Sequence, residues 1–228
     1  MYKRQIHIVN EKRKALQRLY NCRKNSCVPI SGRDVLLIMQ IAFFDDPERL
    51  TAQVNSLCEE LEKRIKEDVS IAPKNAPRIL ITGTPMAVPN WKMHNIVETS
   101  GGIVVCEENC TGTRYFTNTV KENNKTMEEA ASALTERYFN NIHCACFTPN
   151  PERIDDILRL AKEYQVDGIL NVNLKFCNLY ATENYFVERR LKEEGYKVLS
   201  LETDYEDSDA EQLRTRVSAF LEMIEANK

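Results

Sequence analysis

Short apolar runs alternate with amphipathic stretches over residues 76 to 228. Each run is rich in branched side chains and ends in polar or charged residues, a pattern typical of buried strands. The stretches between the runs carry apolar residues at helical spacing. This alternation predicts an α/β fold, with a parallel sheet of about four strands flanked by helices. The four runs are RILITGTP (78–85), GGIVVCEEN (101–109), DGILNVNLK (167–175) and YKVLSLETD (196–204).

Local signals place the start of two helices in this region. Thr126 and Glu129 have the spacing of a capping box. Asn150 followed by Pro151 predicts a cap and a first helical residue. Just before that helix, the stretch NIHCACF (141–147) is expected to be a short extended piece, in which alternate side chains point to opposite sides unless the chain turns there.

The first 75 residues contain amphipathic stretches and no apolar run of the strand type. Leu50, Val54 and Leu57 recur at helical spacing in the third of these stretches. Because these helices have no sheet of their own to cover, we interpret residues 1–75 as a helical connector, the remnant of an upstream domain. Residues 76–228 are then a C-terminal α/β domain, and the chain is expected to be an N-terminally truncated form of a longer protein.

Charge and composition exclude several classes of partner. The 228 residues include 31 Lys or Arg and 34 Asp or Glu, a formal net charge of -3. This near-balance argues against nucleic acid or a membrane surface recognised by bulk charge. No stretch approaches the roughly 18 consecutive apolar residues of a membrane span. The opening MYKRQIHIVNEKRK lacks the apolar core of a secretory signal, so we expect a cytoplasmic protein.

The cysteines are the strongest chemical signal. Eight are present without a CxxC pair, so the usual zinc spacing is missing. Cys58 and Cys106 lie within apolar patterns and are expected to pack in the core. Four others follow predicted strands or precede a helix, and the carboxyl ends of parallel strands should bring them to one edge as candidate ligands of zinc or of an iron–sulfur cluster. The four are Cys110, Cys144, Cys146 and Cys177.

Five segments, in this order over most of residues 78–224, carry a resemblance to a known family: RILITGTPM, GGIVVCEENCTGTRYF, HCACFTPNPERID, DGILNVNLKFCNLY and LETDYEDSDAEQLRTRVSAFLEM. The chain resembles the 2-hydroxyacyl-CoA dehydratase family, which includes benzoyl-CoA reductase subunits and the double-cubane cluster proteins. The resemblance implies an iron–sulfur cluster between two α/β domains, with one ligand at Cys177. Cys110, Cys144 and Cys146 resemble the double-cubane branch, so the implied cofactor is a 4Fe-4S cluster or a double cubane, and 76–228 is the cluster-binding domain.

The resemblance also implies a reaction and partners. A separate ATP-hydrolysing iron–sulfur activator supplies a low-potential electron, and water is eliminated from a 2-hydroxyacyl-CoA through a ketyl radical. The protein is expected to form a homodimer, or a heterodimer with a paralogous subunit. Two alternatives stay open. One is a double-cubane reductase of small molecules, and the other is a non-catalytic truncated fragment or electron-transfer partner.

Three charged residues beside Cys110 are candidates for catalysis. Glu107 and Glu108 are interpreted as acid/base groups or as hydrogen-bond neighbours of a cluster, with a solvated loop pair as the plainer alternative. Arg114 is interpreted as facing an anionic substrate or cluster sulfide, and an ordinary loop salt bridge is the alternative.

Overall fold

Four parallel strands form the centre of the molecule, as the apolar runs predict. The computed structural model describes residues 2–226, and within them the sheet has the order β2-β1-β3-β4. All three strand pairs are parallel, so the carboxyl ends of the four strands share one edge, which we call the carboxyl edge. The strands are β1 (Arg78–Gly83), β2 (Ile103–Glu108), β3 (Gly168–Leu174) and β4 (Lys197–Thr203).

Helices cover both faces of this sheet. Short 3-10 turns at Cys22–Lys24 and Asp207–Asp209 and a π-helical turn at Glu136–Asn140 complete the regular structure of the described residues. The α-helices are α1 (Tyr2–Asn21), α2 (Gly32–Ile41), α3 (Pro47–Lys66), α4 (Lys92–Thr99), α5 (Thr113–Phe116), α6 (Met127–Thr135), α7 (Pro151–Glu163), α8 (Asn178–Glu193) and α9 (Ala210–Glu225).

Alternate strand residues face two separate cores. Ile79 and Ile81 pack with α4 and α9 on one side, whereas Leu80 packs with α1, α3, α7 and α8 on the other. The pairing of β1 with β2 shifts by one residue between Ile79 and Leu80. Because of this bulge, Val105 and Cys106 both lie in the second of these cores. The buried packing predicted for Cys106 is confirmed, as is that of Cys58 on α3.

The leading helices do have a sheet to cover. Leu16, Leu19 and Tyr20 of α1 belong to the same buried core as Leu80 of β1. The expectation that these helices lack a sheet is therefore wrong, because their apolar stripe closes one face of the α/β unit. The division of the chain at residue 75 stays a prediction.

The helix-start predictions had mixed outcomes. Thr126 caps α6 by accepting from the backbone N–H of Glu129, as predicted. Helix α7 begins at Pro151, but Asn150 makes no side-chain cap and instead donates to the carbonyl of Cys144. The expected extended piece at 141–147 is also wrong, because the N–H of Phe147 donates to the Cys144 carbonyl and closes a turn.

No helix in the described part of the chain is both long and apolar enough to cross a membrane.

Candidate functional site

Four of the eight cysteines lie together at the carboxyl edge. Cys110 lies in the connection between β2 and α5, and Cys177 directly precedes α8. Cys144 and Cys146 lie in the turn before α7. Cys110 and Cys146 are exposed, whereas Cys144 and Cys177 are half-buried, and none of the four is in a disulfide. The other four cysteines are buried: Cys22, Cys27, Cys58 and Cys106.

The thiols at the edge interact with one another. The hydrogen bond with Cys110 lowers the pKa of Cys144 to about 5, against the opposing effect of burial. The same hydrogen bond raises the pKa of Cys110, because the shared proton stays on that sulfur. Cys144 also raises the pKa of Cys146 through a hydrogen bond, and Cys177 adds a smaller electrostatic effect. The thiols of Cys110, Cys144 and Cys146 therefore interact with one another, and Cys177 has a small effect on Cys146.

The spacing of these sulfur atoms differs from that of a single-ion site. A tetrahedral zinc ion places its thiolate ligands ~3.8 Å apart. Within residues 2–226, no three of the edge sulfur atoms lie within 4.8 Å of one another. The one group at that spacing in the same residues consists of His7 and Glu11 on α1 and Glu122 in the connection before α6, and Lys14 pairs with Glu11 there.

A set of cysteine thiols alone is the donor set that iron–sulfur clusters use. Such clusters take cysteine thiolates from distant parts of a chain, and the lowered pKa of Cys144 favours the thiolate form that binds metal. Cys110, Cys144, Cys146 and Cys177 are the residues of this chain that would hold it.

The connection that carries Cys110 is packed tightly against β2. A Cβ atom on Gly112 would lie 2.2 Å from the carbonyl oxygen of Glu107, so only glycine fits there. The hydroxyl of Thr113 donates to the same carbonyl at 3.1 Å. Asn109 accepts from both the N–H and the hydroxyl of Thr111. These contacts hold Cys110 at a defined position beyond the strand.

Glu108 is the centre of a buried ion network beneath the thiols. It accepts from Thr82 of β1 at 2.5 Å and from Arg114 at 2.5 Å, and Arg153 of α7 lies 3.5 Å away. Arg153 also pairs with Glu183 of α8. The network therefore joins the ends of β1 and β2 to the two helices that flank the cysteines.

Glu107 lies in a separate buried ion network, so the alternative of a solvated loop pair is wrong for it. Its interpretation as an acid/base group stays a prediction. Its side chain is 1% exposed and bonds to Tyr20 of α1, to Arg23 in the turn after α1 and to His94 of α4. Burial alone would raise its pKa, but the charge of Arg23 and hydrogen bonds from His94 and Arg23 lower it to about 2. A carboxylate with this pKa and no exposed surface supports the fold.

Two histidines have positions that the sequence does not reveal. His94 is fully buried on α4 and bonds to Glu107 at 2.9 Å. His143 bonds to Asp156 of α7 at 2.6 Å, next to Cys144. The partners are 13 residues away in each case, so no local spacing signals the pairs.

An apolar cavity adjoins the cysteines. Its volume is about 630 Å³, and it lies between the turn containing Cys144 and Cys146 and the first turns of α8. Thr148, Thr182 and Glu183 are among the polar residues of a lining that is otherwise largely apolar. The apolar lining residues are Ala145, Phe147, Pro149, Pro151, Ile154, Leu179 and Phe186.

Fold and site together define an α/β protein with a cysteine-lined site at the carboxyl edge of its parallel sheet. The chain belongs to the family described as 2-hydroxyglutaryl-CoA dehydratase, D-component, whose family model matches residues 2–224. The predicted membership of the 2-hydroxyacyl-CoA dehydratase family is thereby confirmed.

Two curated sequences are similar over most of this chain. "Putative dehydratase subunit YjiM" of Escherichia coli (strain K12) is 34% identical over 221 residues, which are 96% of this chain and 56% of that protein. "(R)-phenyllactyl-CoA dehydratase beta subunit" of Clostridium sporogenes is 24% identical over 187 residues, which are 82% of this chain and 47% of that protein. The chain thus spans about half the length of these curated relatives.

Proposed function

We propose that the chain is the iron–sulfur component of a 2-hydroxyacyl-CoA dehydratase-type enzyme. In the proposed reaction, water is eliminated from a 2-hydroxyacyl-CoA by a radical route, after a separate ATP-hydrolysing activator has supplied one electron. Since the chain spans about half of its relatives, the proposal concerns the complete protein of which these residues form part.

One observation carries the proposal. Four thiols from three separate connections gather at the carboxyl edge of the sheet, in a chain of a dehydratase family. We assign Cys110, Cys144, Cys146 and Cys177 as ligands of a 4Fe-4S cluster. When bound, such a cluster supplies one-electron transfer at a low reduction potential.

The remaining residues of the site bind the substrate and orient other side chains of the site. The apolar cavity beside Cys177 is suited to the acyl chain of a substrate and keeps water away from it. Arg114 faces the thiols from the inner side, and Glu108 holds its guanidinium in place through a charge-assisted hydrogen bond. Glu108 is a positioning residue in this scheme, because its carboxylate is buried and already has three partners.

The proposal includes partners and a compartment. Exposed aromatic residues surround the cysteines, with Phe176 95% exposed and Phe186 62% exposed. This surface is suited to a second subunit, a homodimer mate or a paralogous chain, and one relative is itself named a beta subunit. An activator that hydrolyses ATP places the protein in the cytoplasm.

A second candidate function is a double-cubane reductase of small molecules. The presence of Cys110, Cys144 and Cys146 beside Cys177 favours it, because a double cubane needs more cysteines than a single cubane. Iron counts separate the two, since a single 4Fe-4S cluster contains half the iron of a double cubane.

Anaerobic reconstitution with iron and sulfide tests the assignment of the ligands. The wild-type chain should bind about four irons per chain, as one 4Fe-4S cluster requires. Cys177→Ala should lose most of this iron. Cys27→Ala is the matched control, because Cys27 is buried away from the edge and should leave the iron content unchanged. Equal iron in wild type and Cys177→Ala would refute the cluster site.

Turnover tests the reaction itself. The complete protein, supplied with its activator and ATP, should convert a 2-hydroxyacyl-CoA to the 2-enoyl-CoA. Reduction of a small molecule without acyl-CoA turnover would favour the reductase instead, and the absence of both with a fully loaded cluster would support a non-catalytic electron-transfer role.

A further inference from the structure

Arg114 connects a cysteine of the edge to the buried ion network. Its Nη1 lies 3.9 Å from the Sγ of Cys110 and 2.9 Å from the hydroxyl oxygen of Tyr180. Its Nε donates to Glu108 at 2.5 Å. The side chain is only 7% exposed, so three partners on three sides fix the plane of the guanidinium.

One nitrogen of the Arg114 guanidinium has no hydrogen-bond partner in the part of the chain that the structure describes. Within residues 2–226, Nη2 of Arg114 is buried and has no hydrogen-bond acceptor. A buried donor without a partner costs about 1–3 kcal/mol, so a further acceptor bound at Nη2 would remove this cost. An acceptor bound beside the Cys110 sulfur would be within the reach of this arginine.

Arg114 acts on the thiols through a direct contact, because the ion network to which it belongs is neutral as a whole. Arg114 and Arg153 are balanced by Glu108 and Glu183, so the network as a whole adds no net charge to the edge. Among the side chains of residues 2–226, Arg114 is the cation with a hydrogen bond to an edge sulfur atom. Its effect on Cys110 therefore arises from a short, directed contact.

Arg114 and Cys110 share one structural segment. Cys110 precedes Gly112, and the four-residue helix α5 that carries Arg114 begins at Thr113. The tight packing of Gly112 on β2 fixes both side chains relative to the strand. The sulfur–guanidinium contact is therefore built into the connection.

We propose that Arg114 is a positioning residue that donates to the Cys110 sulfur and raises the reduction potential of the iron–sulfur group held by the four edge cysteines. This inference rests on the proposed function, because it presupposes that the cysteines hold such a group. Hydrogen bonds and positive charge at a cysteine sulfur stabilise the reduced state, which is the more negative one.

A redox titration of the reconstituted full chain, followed by electron paramagnetic resonance, tests the proposal. Arg114→Gln should lower the equilibrium constant for reduction at least tenfold, which is about 59 mV for one electron. Arg159→Gln is the matched control, because it removes an arginine of α7 that pairs with Asp156 and Glu163 and touches no edge cysteine. The control should change the constant less than about threefold.

Tyr180→Phe gives a second, milder test. Without the phenol oxygen, the guanidinium of Arg114 loses one of the three contacts that fix its plane, so its contact with Cys110 should weaken. The reduction potential should therefore fall relative to wild type, by less than in Arg114→Gln. This variant decides the question if Arg114→Gln fails to fold or to bind iron.

The outcomes separate this inference from the function on which it rests. Iron bound to wild type with unchanged potentials in Arg114→Gln and Tyr180→Phe would overturn the role of Arg114 and leave the cluster intact. An equal shift in Arg159→Gln would also overturn it, because charge alone would then explain the effect. If the wild-type chain binds no iron after reconstitution, both proposals are refuted.

Discussion

Arg23 and Glu107 form an ion pair from which water is excluded. Nη2 of Arg23 lies 2.9 Å from Oε2 of Glu107, and the two side chains are 0% and 1% exposed. Arg23 lies in the 3-10 turn after α1, and Glu107 lies at the end of β2. The pair therefore ties the leading helices to the strand whose continuation carries Cys110.

Removal of Arg23 should destabilise the whole chain. Arg23→Met leaves a buried carboxylate without its cation, which typically costs about 3–5 kcal/mol. The free energy of unfolding in urea at pH 7 measures this loss. Arg33→Met is the control, because its pair with Asp34 is half-exposed and 3.9 Å apart, so the loss there should stay below about 0.5 kcal/mol. A loss below about 1 kcal/mol for Arg23→Met would contradict this role of the pair.

Acid should weaken the fold through Glu107. Its pKa of about 2 in the folded chain lies below the ordinary value of 4.5, so its stabilising contribution is complete above pH 4.5. The contribution is lost as the pH falls from about 4.5 towards 2, and a shift of this size corresponds to about 3 kcal/mol. Unfolding free energies between pH 6 and pH 2.5 should fall less steeply for Glu107→Gln than for wild type. Equal slopes would show that Glu107 is not the titrating group.

A methyl group at position 112 should displace the connection that carries Cys110. Gly112→Ala places a Cβ atom 2.2 Å from the Glu107 carbonyl oxygen, so the backbone must move, at a cost of about 1–3 kcal/mol. The reconstituted variant should also bind less iron than wild type. Gly195→Ala is the control: it is strained by its φ of 85° but meets no neighbouring atom, so it should cost about 1–2 kcal/mol without any effect on iron.

Phe176 should be dispensable for the stability of the chain. It has a φ of 66° and is 95% exposed, so it combines a left-handed backbone with a ring that packs on little. Phe176→Gly removes this backbone strain, partly offset by the greater freedom of glycine in the unfolded state. Thermal unfolding should show a gain between zero and about 1 kcal/mol, whereas Phe116→Ala, in the core, should lose about 3–5 kcal/mol. A clear loss for Phe176→Gly would show that its ring packs on the chain.

The sheet could be predicted because each strand has a strong local signal. Ile79, Leu80 and Ile81 are all buried, since helices cover both faces, and a parallel strand buried in this way appears as an unbroken apolar run. The carboxyl edge follows from the parallel direction alone. The same geometry predicts from the sequence that Cys110 and Cys177 lie at one edge of the sheet.

The interior of the site could not be predicted, because its partners are remote in sequence. Glu107 bonds to residues 87 and 84 positions earlier, Tyr20 and Arg23, and no spacing rule connects them. Asn150 has the sequence of a helix cap, but its side chain reaches the Cys144 carbonyl because the turn before α7 brings that oxygen close. Tertiary packing thus overrides local chemistry at the positions that hold the cysteines.

The four edge cysteines are dispersed along the chain, which has a consequence for the assembly of the proposed iron–sulfur group. Cys110 and Cys177 are 67 positions apart in the chain, and they approach each other only after β1, β2 and β3 have paired. An unfolded chain offers no such cluster of thiols, so assembly of the proposed metal group must follow folding. If the four thiols hold the proposed group, its binding favours the folded state by mass action, and the empty chain is less resistant to unfolding and proteolysis than the filled one.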